Sequence, residues 1–194
     1  MTEELASEGH GRPGGAPARR GGASAIRLPG ILLGIGLGGF VDGIVLHQIL
    51  QWHHMLSSAD TANIPVGAHP VDTVEGLEMN TLWDGLFHSF TWLAVVVGLA
   101  MLYSRVAKAG VRVWASRVLW GWVLVGWGAF NLVEGVVNHH VLAIHHVISG
   151  PWQTVADLLF LLFGAILVLT GWLLQRSSPA GSAGRVSGAV PSDT

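Results

Sequence analysis

The sequence predicts an all-α integral membrane protein, a four-helix bundle built from two tandem helical hairpins. Three observations carry that prediction: four long apolar runs, a scarcity of charge within them, and one polar motif that occurs twice. Charged residues make up 11% of the 194-residue chain and hydrophobic ones 51%, with a mean hydropathy of +0.52. A water-soluble domain carries about 25% charged residues, so this chain lacks the polar surface that water requires.

The first apolar run extends from Leu28 to about Met55, broken by Asp42 and by polar residues near its end. The second spans about Asn80 to Tyr103, the third about Val113 to Val141, and the fourth about Gln153 to Leu174. Each reaches the roughly 20 residues that a helix needs to cross a hydrocarbon core. Lipid offers the backbone no hydrogen bonds, so the spans must be helices. Residues 1–27 and 176–194 are rich in Gly, Pro, Ala and Ser and read as disordered cytoplasmic tails. They flank a transmembrane domain at 28–175.

Orientation follows from the basic residues. Every Lys and Arg lies in a tail, in the second connection, or at a helix end beside them, whereas 56–79 and 142–152 contain none. The positive-inside rule then predicts a multi-pass cell-membrane protein with both termini cytoplasmic and those two connections outside. A net charge of −2 gives no footing for nucleic acid, and the absence of cysteine excludes disulfides, thiolate metal sites and iron–sulfur clusters.

The motif Asp42-Gly-Ile-Val-Leu-His47-Gln-Ile-Leu-Gln-Trp-His53-His54 aligns without gaps on Glu134-Gly-Val-Val-Asn-His139-His-Val-Leu-Ala-Ile-His145-His146, at an offset of 92 (134 − 42). The following helices align through Asp84 and Asp157, at an offset of 73 (157 − 84). A repeat of two-helix units keeps both copies in one orientation, related by a pseudo-twofold axis along the membrane normal.

These residues carry the chemistry. Asp42, His47, His53 and His54 come from the first helix, and Asp84 and His88 from the second. The third supplies Glu134, His139, His145 and His146, and the fourth Asp157. By depth they converge on the outer half of the bundle, with the His-His pairs at helix ends on the outer surface. Gly36, Gly39 and Gly43 lie along the His47 side of the first helix, where they permit a close helix approach. A central charge costs about 2.5–3.5 kcal/mol on the insertion scale, and no Lys or Arg lies at that end to neutralise the acids. Their partners are therefore protons, histidines or a metal cation.

Imidazole with carboxylate is a ligand set for zinc, iron, manganese or copper(II). Acids and histidines projecting inward from every helix resemble the general form of di-metal carboxylate bundles. His10, His69 and His140 are expected to make ordinary hydrogen bonds. Met55 and Met79 flank the site and would suit copper(I), although packing is the commoner role of methionine. Because His88 corresponds to Leu161, the first hairpin is expected to dominate any single strong site.

The strings Gly39-Phe-Val-Asp42-Gly-Ile-Val-Leu-His47, Asp84-Gly-Leu-Phe-His88 and Asn131-Leu-Val-Glu134-Gly-Val-Val-Asn-His139 resemble a bacterial family of predicted membrane proteins catalogued as domain of unknown function 2243. The resemblance covers about residues 28 to 175. Members occur beside copper-handling assembly proteins of cytochrome oxidase, a context that points to copper among the candidate metals (copper, zinc or iron) and to oxidase assembly proteins as partners.

The first functional expectation is thus a polytopic membrane metalloprotein with an outward-facing His/Asp/Glu site that handles copper or another transition metal for oxidase assembly. A second is a membrane di-metal oxidoreductase or zinc hydrolase, with Asp42 or Glu134 as general base. A third is a b-haem electron carrier with His47 and His139 as axial ligands.

Overall fold

The computed structural model describes residues 25–65, 67–109 and 116–176. The two tails, His10 and most of the second connection lie outside the described residues. Helix α1 (Arg27–Phe40) runs without a break into a π-helical segment, Val41–Ile49. Helix α2 covers Val74–Ala109. Helix α3 (Arg117–Glu134) again runs into a π-helical segment, Gly135–Val141, and α4 covers Gln153–Arg176. The four resulting spans are each long and apolar enough to cross a membrane. No strand occurs among the described residues.

Helices α1 and α3 pack against each other at the centre, with α2 on the flank of α1 and α4 on the flank of α3. Glycine determines this arrangement. A Cβ at Gly30 or Gly34 of α1 would collide with Trp122 or Val123 of α3, whereas one at Gly36, Gly39 or Gly43 would collide with Val95, Thr91 or His88 of α2. The Gly36–Gly39–Gly43 stripe therefore seats α2, as its position beside His47 implied. Gly121 and Gly128 play the same part between α3 and α4. At the end remote from the histidines, the Arg27 guanidinium lies 4.9 Å from the Trp122 ring centroid, a cation–π contact that joins α1 to α3.

Two elements differ from the sequence reading. Helix α2 begins at Val74 rather than near Asn80, and the first helix stops at Ile49 rather than near Met55. The cause of the second difference recurs at the same place in each repeat. The Leu50 amide donates to Val45 O (2.8 Å) and the Leu142 amide to Val137 O (2.7 Å), both five residues back. The next bonds are wider still, Trp52 N–H to Leu46 O and Ile144 N–H to Asn138 O. Between them Gln51 (φ 50°) and Ala143 (φ 47°) take the left-handed conformation, which costs an L-residue about 1–2 kcal/mol. That turn reverses the chain.

After the first reversal the chain lies across the end of the bundle. The Ser58 amide donates to Ile144 O and Asn63 Nδ2 to Ala143 O, both at 2.8 Å, while Leu56 and Ala59 pack on Ile144. Met55 and Met79 join this apolar cluster. Asn80 ties the segment down, accepting from the Leu56 amide and donating to His69 O and Gly76 O. The expected opening at the outer end is therefore closed by a lid.

Candidate metal centre

π-Helical turns bring residues five apart side by side, because each amide bonds the carbonyl five residues back. Asp42 thus meets His47 (Oδ2 to Nε2 3.3 Å), and Glu134 meets His139 (Oε2 to Nε2 3.1 Å). An α-helical wheel does not pair these residues. The left-handed turn then delivers His53 and His145, which lie beyond the helix and point back into the bundle. Their expected place on exposed helix ends is wrong: both are buried, and His47 and His145 are 0% exposed.

The geometry obeys the repeat almost atom for atom. His47 Nδ1–H donates to Asp84 Oδ1 at 2.9 Å, and His139 Nδ1 lies 3.2 Å from Asp157 Oδ1. His54 Nδ1–H donates to Asp84 Oδ2 (2.6 Å), as His146 does to Asp157 Oδ2 (2.7 Å). The Met55 amide donates to Asp84 Oδ1 and the Val147 amide to Asp157 Oδ1, both at 2.9 Å. Phe87 and Phe160 lie against the rings of His47 and His139.

Two shells result. Asp84 and Asp157 spend their oxygens on His47, His54, His139, His146 and backbone amides, so they orient imidazoles instead of facing the centre. Asp42, His47, His53, Glu134, His139 and His145 form the inner group around the axis. Ligand atoms of His47, His53 and His145 lie within 4.8 Å of one another, as do those of Glu134, His139 and His145. Both hairpins contribute ligand atoms to these groups. His88 stands apart: its Nδ1–H donates to its own helix at Asp84 O (2.7 Å), and its ring lies beside Gly43, as Leu161 lies beside Gly135. His140 Nδ1–H donates to Gly135 O, the ordinary hydrogen bond expected of it.

The protonation pattern suits a cation. His53 Nδ1–H donates to Val147 O and His145 Nδ1–H to Met55 O, both at 3.0 Å. A carbonyl only accepts, so Nδ1 carries the proton and Nε2 presents its lone pair inward. His145 Nε2 lies 2.6 Å from Glu134 Oε1, the separation of a hydrogen bond with its proton between the two atoms. Burial opposes charge on His145, but the Glu134 carboxylate outweighs it and raises the pKa above 6.5. Burial, then the charges of His145 and His47, lowers His53 to about 2 and keeps it neutral.

Several buried atoms of the inner group have no hydrogen-bond partner: both Asp42 oxygens, Nε2 of His47, His53 and His139, and Glu134 Oε2. Leaving one buried polar atom unsatisfied costs about 1–3 kcal/mol, so such a cluster of acceptors suits a cation or a shared proton. These groups could hold a metal ion. Nδ1 of His47 and of His139 faces Asp84 and Asp157, so Nε2 is the atom each ring can offer, with the carboxylates of Asp42 and Glu134 beside it.

The sequence reading missed the π-helical segments, the left-handed Gln51 and Ala143, and the two phenylalanines. The gapless repeat held the only signal for them: whatever local geometry one copy adopts, the other shares. Among known proteins, the family described as "Predicted membrane protein (DUF2243)" matches residues 29–178. No curated protein and no solved structure matches the chain.

Proposed function

We propose that this chain, which belongs to the DUF2243 family of predicted membrane proteins, holds a resident pair of transition-metal ions, one on either side of its pseudo-twofold axis. Each ion takes two histidines and one carboxylate: Asp42, His47 and His53 for one, Glu134, His139 and His145 for the other. Two observations support this reading: buried ligand atoms of Asp42, His47, His53, Glu134 and His139 have no hydrogen-bond partner, and those of His47, His53 and His145, like those of Glu134, His139 and His145, converge within 4.8 Å. Asp84 and Asp157 act through His47 and His139, fixing the tautomer that offers Nε2.

Two histidines and one carboxylate leave coordination positions open, a set that suits non-haem iron and other divalent metals. Two such ions side by side are a common arrangement for metal-assisted chemistry. This favours the oxidoreductase reading over ion delivery, because a delivered ion must leave, and these ligands are buried under a lid. Copper and a role in oxidase assembly rest on the family resemblance alone, and the methionines that would suit copper(I) are packed in the lid. The site lies at the external end, with both termini cytoplasmic, as the segregation of Lys and Arg supports.

Elemental analysis of protein purified without chelators tests the centre. About two equivalents of one transition metal per chain are expected, in keeping with a two-metal site. Wild-type protein with no more metal than a His47→Ala/His139→Ala double variant overturns it.

A further inference from the structure

Two cavities flank the centre at the level of the π-helical segments, and they are images of each other under the repeat. One, of about 380 Å³, is lined by Val41, Asp42, Leu46, Phe160 and Phe163 among others. The second, of about 330 Å³, has Val133, Glu134, Asn138, Phe87 and Phe90 at the matching positions. The first lies in the crevice between α1 and α4, which do not pack on each other, with α3 at its back. Val41 and Leu159 at its sides are exposed, and both belong to apolar spans, so the cavity faces lipid. The lid closes the end of the bundle and leaves this flank open.

The polar ends of the two cavities differ. In the first, Asp42 and Asn131 are both 3% exposed, and both Asp42 oxygens and Asn131 Oδ1 have no hydrogen-bond partner. In the second, Glu134 Oε1 is engaged by His145 at 2.6 Å and by Asn138 Nδ2 at 3.3 Å, and only Oε2 has no hydrogen-bond partner. Only the first presents two buried, unsatisfied acceptor groups to an otherwise apolar pocket, and acceptors require a donor. Trp52, Trp127, Phe160 and Phe163 supply aromatic faces to its walls, with Trp127 and Phe163 edge to face at 6.3 Å. Such walls favour a flat ring. A cavity of about 150 Å³ already admits benzene, so this one accommodates a ring with substituents.

We infer that this cavity binds a membrane-dissolved molecule with an aromatic ring and a hydroxyl donor, a phenol or hydroquinone, whose hydroxyl meets Asp42 and Asn131. Its role as substrate rests on the metal-centre reading, since Asp42 is one of the proposed ligands; its binding does not. The mirror cavity, where one oxygen of the acid is already engaged and no second unsatisfied acceptor group stands beside it, is the internal control.

Binding of 4-trifluoromethylphenol to the full chain in nanodiscs, followed by fluorine NMR against empty nanodiscs, tests the inference, with 4-trifluoromethylanisole as the probe lacking the donor. Saturable phenol binding is expected, about tenfold or more tighter than the anisole, because a hydrogen bond to a charged group contributes about 1.5–3 kcal/mol. Asn131→Leu should weaken phenol binding and narrow the gap between the probes. Ala156→Trp, which fills the cavity, should abolish saturable binding, whereas Ala129→Trp in the mirror cavity should leave it unchanged. Equal binding of the two probes, or binding that survives Ala156→Trp, overturns the proposal. Metal content of the same samples separates the readings: metal-free protein that binds phenol removes the centre and keeps the pocket, and metal-loaded protein without saturable binding does the reverse.

Discussion

The rings of His53 and His145 stack across the pseudo-twofold axis, 4.9 Å between centroids and 11° between planes. Each donates its Nδ1–H to a carbonyl of the opposite repeat, Val147 for His53 and Met55 for His145. The two hairpins thus hold each other's innermost ligands in place.

His145 belongs to both groups of converging ligand atoms. His145→Ala should therefore remove most of the bound metal, while His88→Leu and His140→Ala leave its content near wild type. Elemental analysis of the three variants at matched purity checks this, and equal losses in all three would remove the inner group from consideration.

Asp84 and Asp157 act through histidines. Asp84→Asn or Asp157→Asn should weaken metal affinity about 10–100-fold, the usual effect of losing such a supporting carboxylate. Thermal unfolding of the metal-free variants should change far less than their metal affinity. Competition against a chelator of known affinity gives the first number and circular dichroism the second.

Ala143 pays for its left-handed backbone without any gain from its side chain. Ala143→Gly should stabilise the metal-free protein by about 0.5–1 kcal/mol, the relief of strain less the greater chain entropy of glycine. Ala143→Val should destabilise it by at least as much, since a β-branched residue tolerates positive φ poorly. Unfolding in mixed detergent micelles measures both.

Topology is open to a separate check. Reporter fusions at Ala68 and Gly110 should report external and cytoplasmic positions respectively, as the positive-inside rule requires. A Gly110 fusion that reports outside would reverse the orientation.

The four spans were legible because lipid imposes one rule on length and apolarity, and the repeat was legible because its acid and histidines keep their register. The pairing of Asp42 with His47 was not. It depends on a π-helical turn, which has no compositional signature, and on an α-helical wheel these two residues point apart. His53 and His145 were placed too far out for the same reason: the left-handed turn at Gln51 and Ala143 falls on residues that do not announce it. His88 looked like a ligand by its spacing from Asp84, yet that spacing lets its ring bond its own helix at Asp84 O.

The crossed bonds of His53 and His145 also bear on how the protein is made. His53 finds its carbonyl partner 94 residues further along the chain, and Met55 its imidazole partner 90 residues on. A first hairpin newly released into the bilayer therefore carries half of a site: Asp84 holds His47 and His54, but His53 has no carbonyl to hold it. Maturation has to wait until the second hairpin is inserted and docked. Two such hairpins on separate chains would meet the same requirement by pairing with a copy of themselves. Joining them in one polypeptide keeps that twofold design and frees each half to change alone, as Asp42 beside Glu134 and His88 beside Leu161 illustrate.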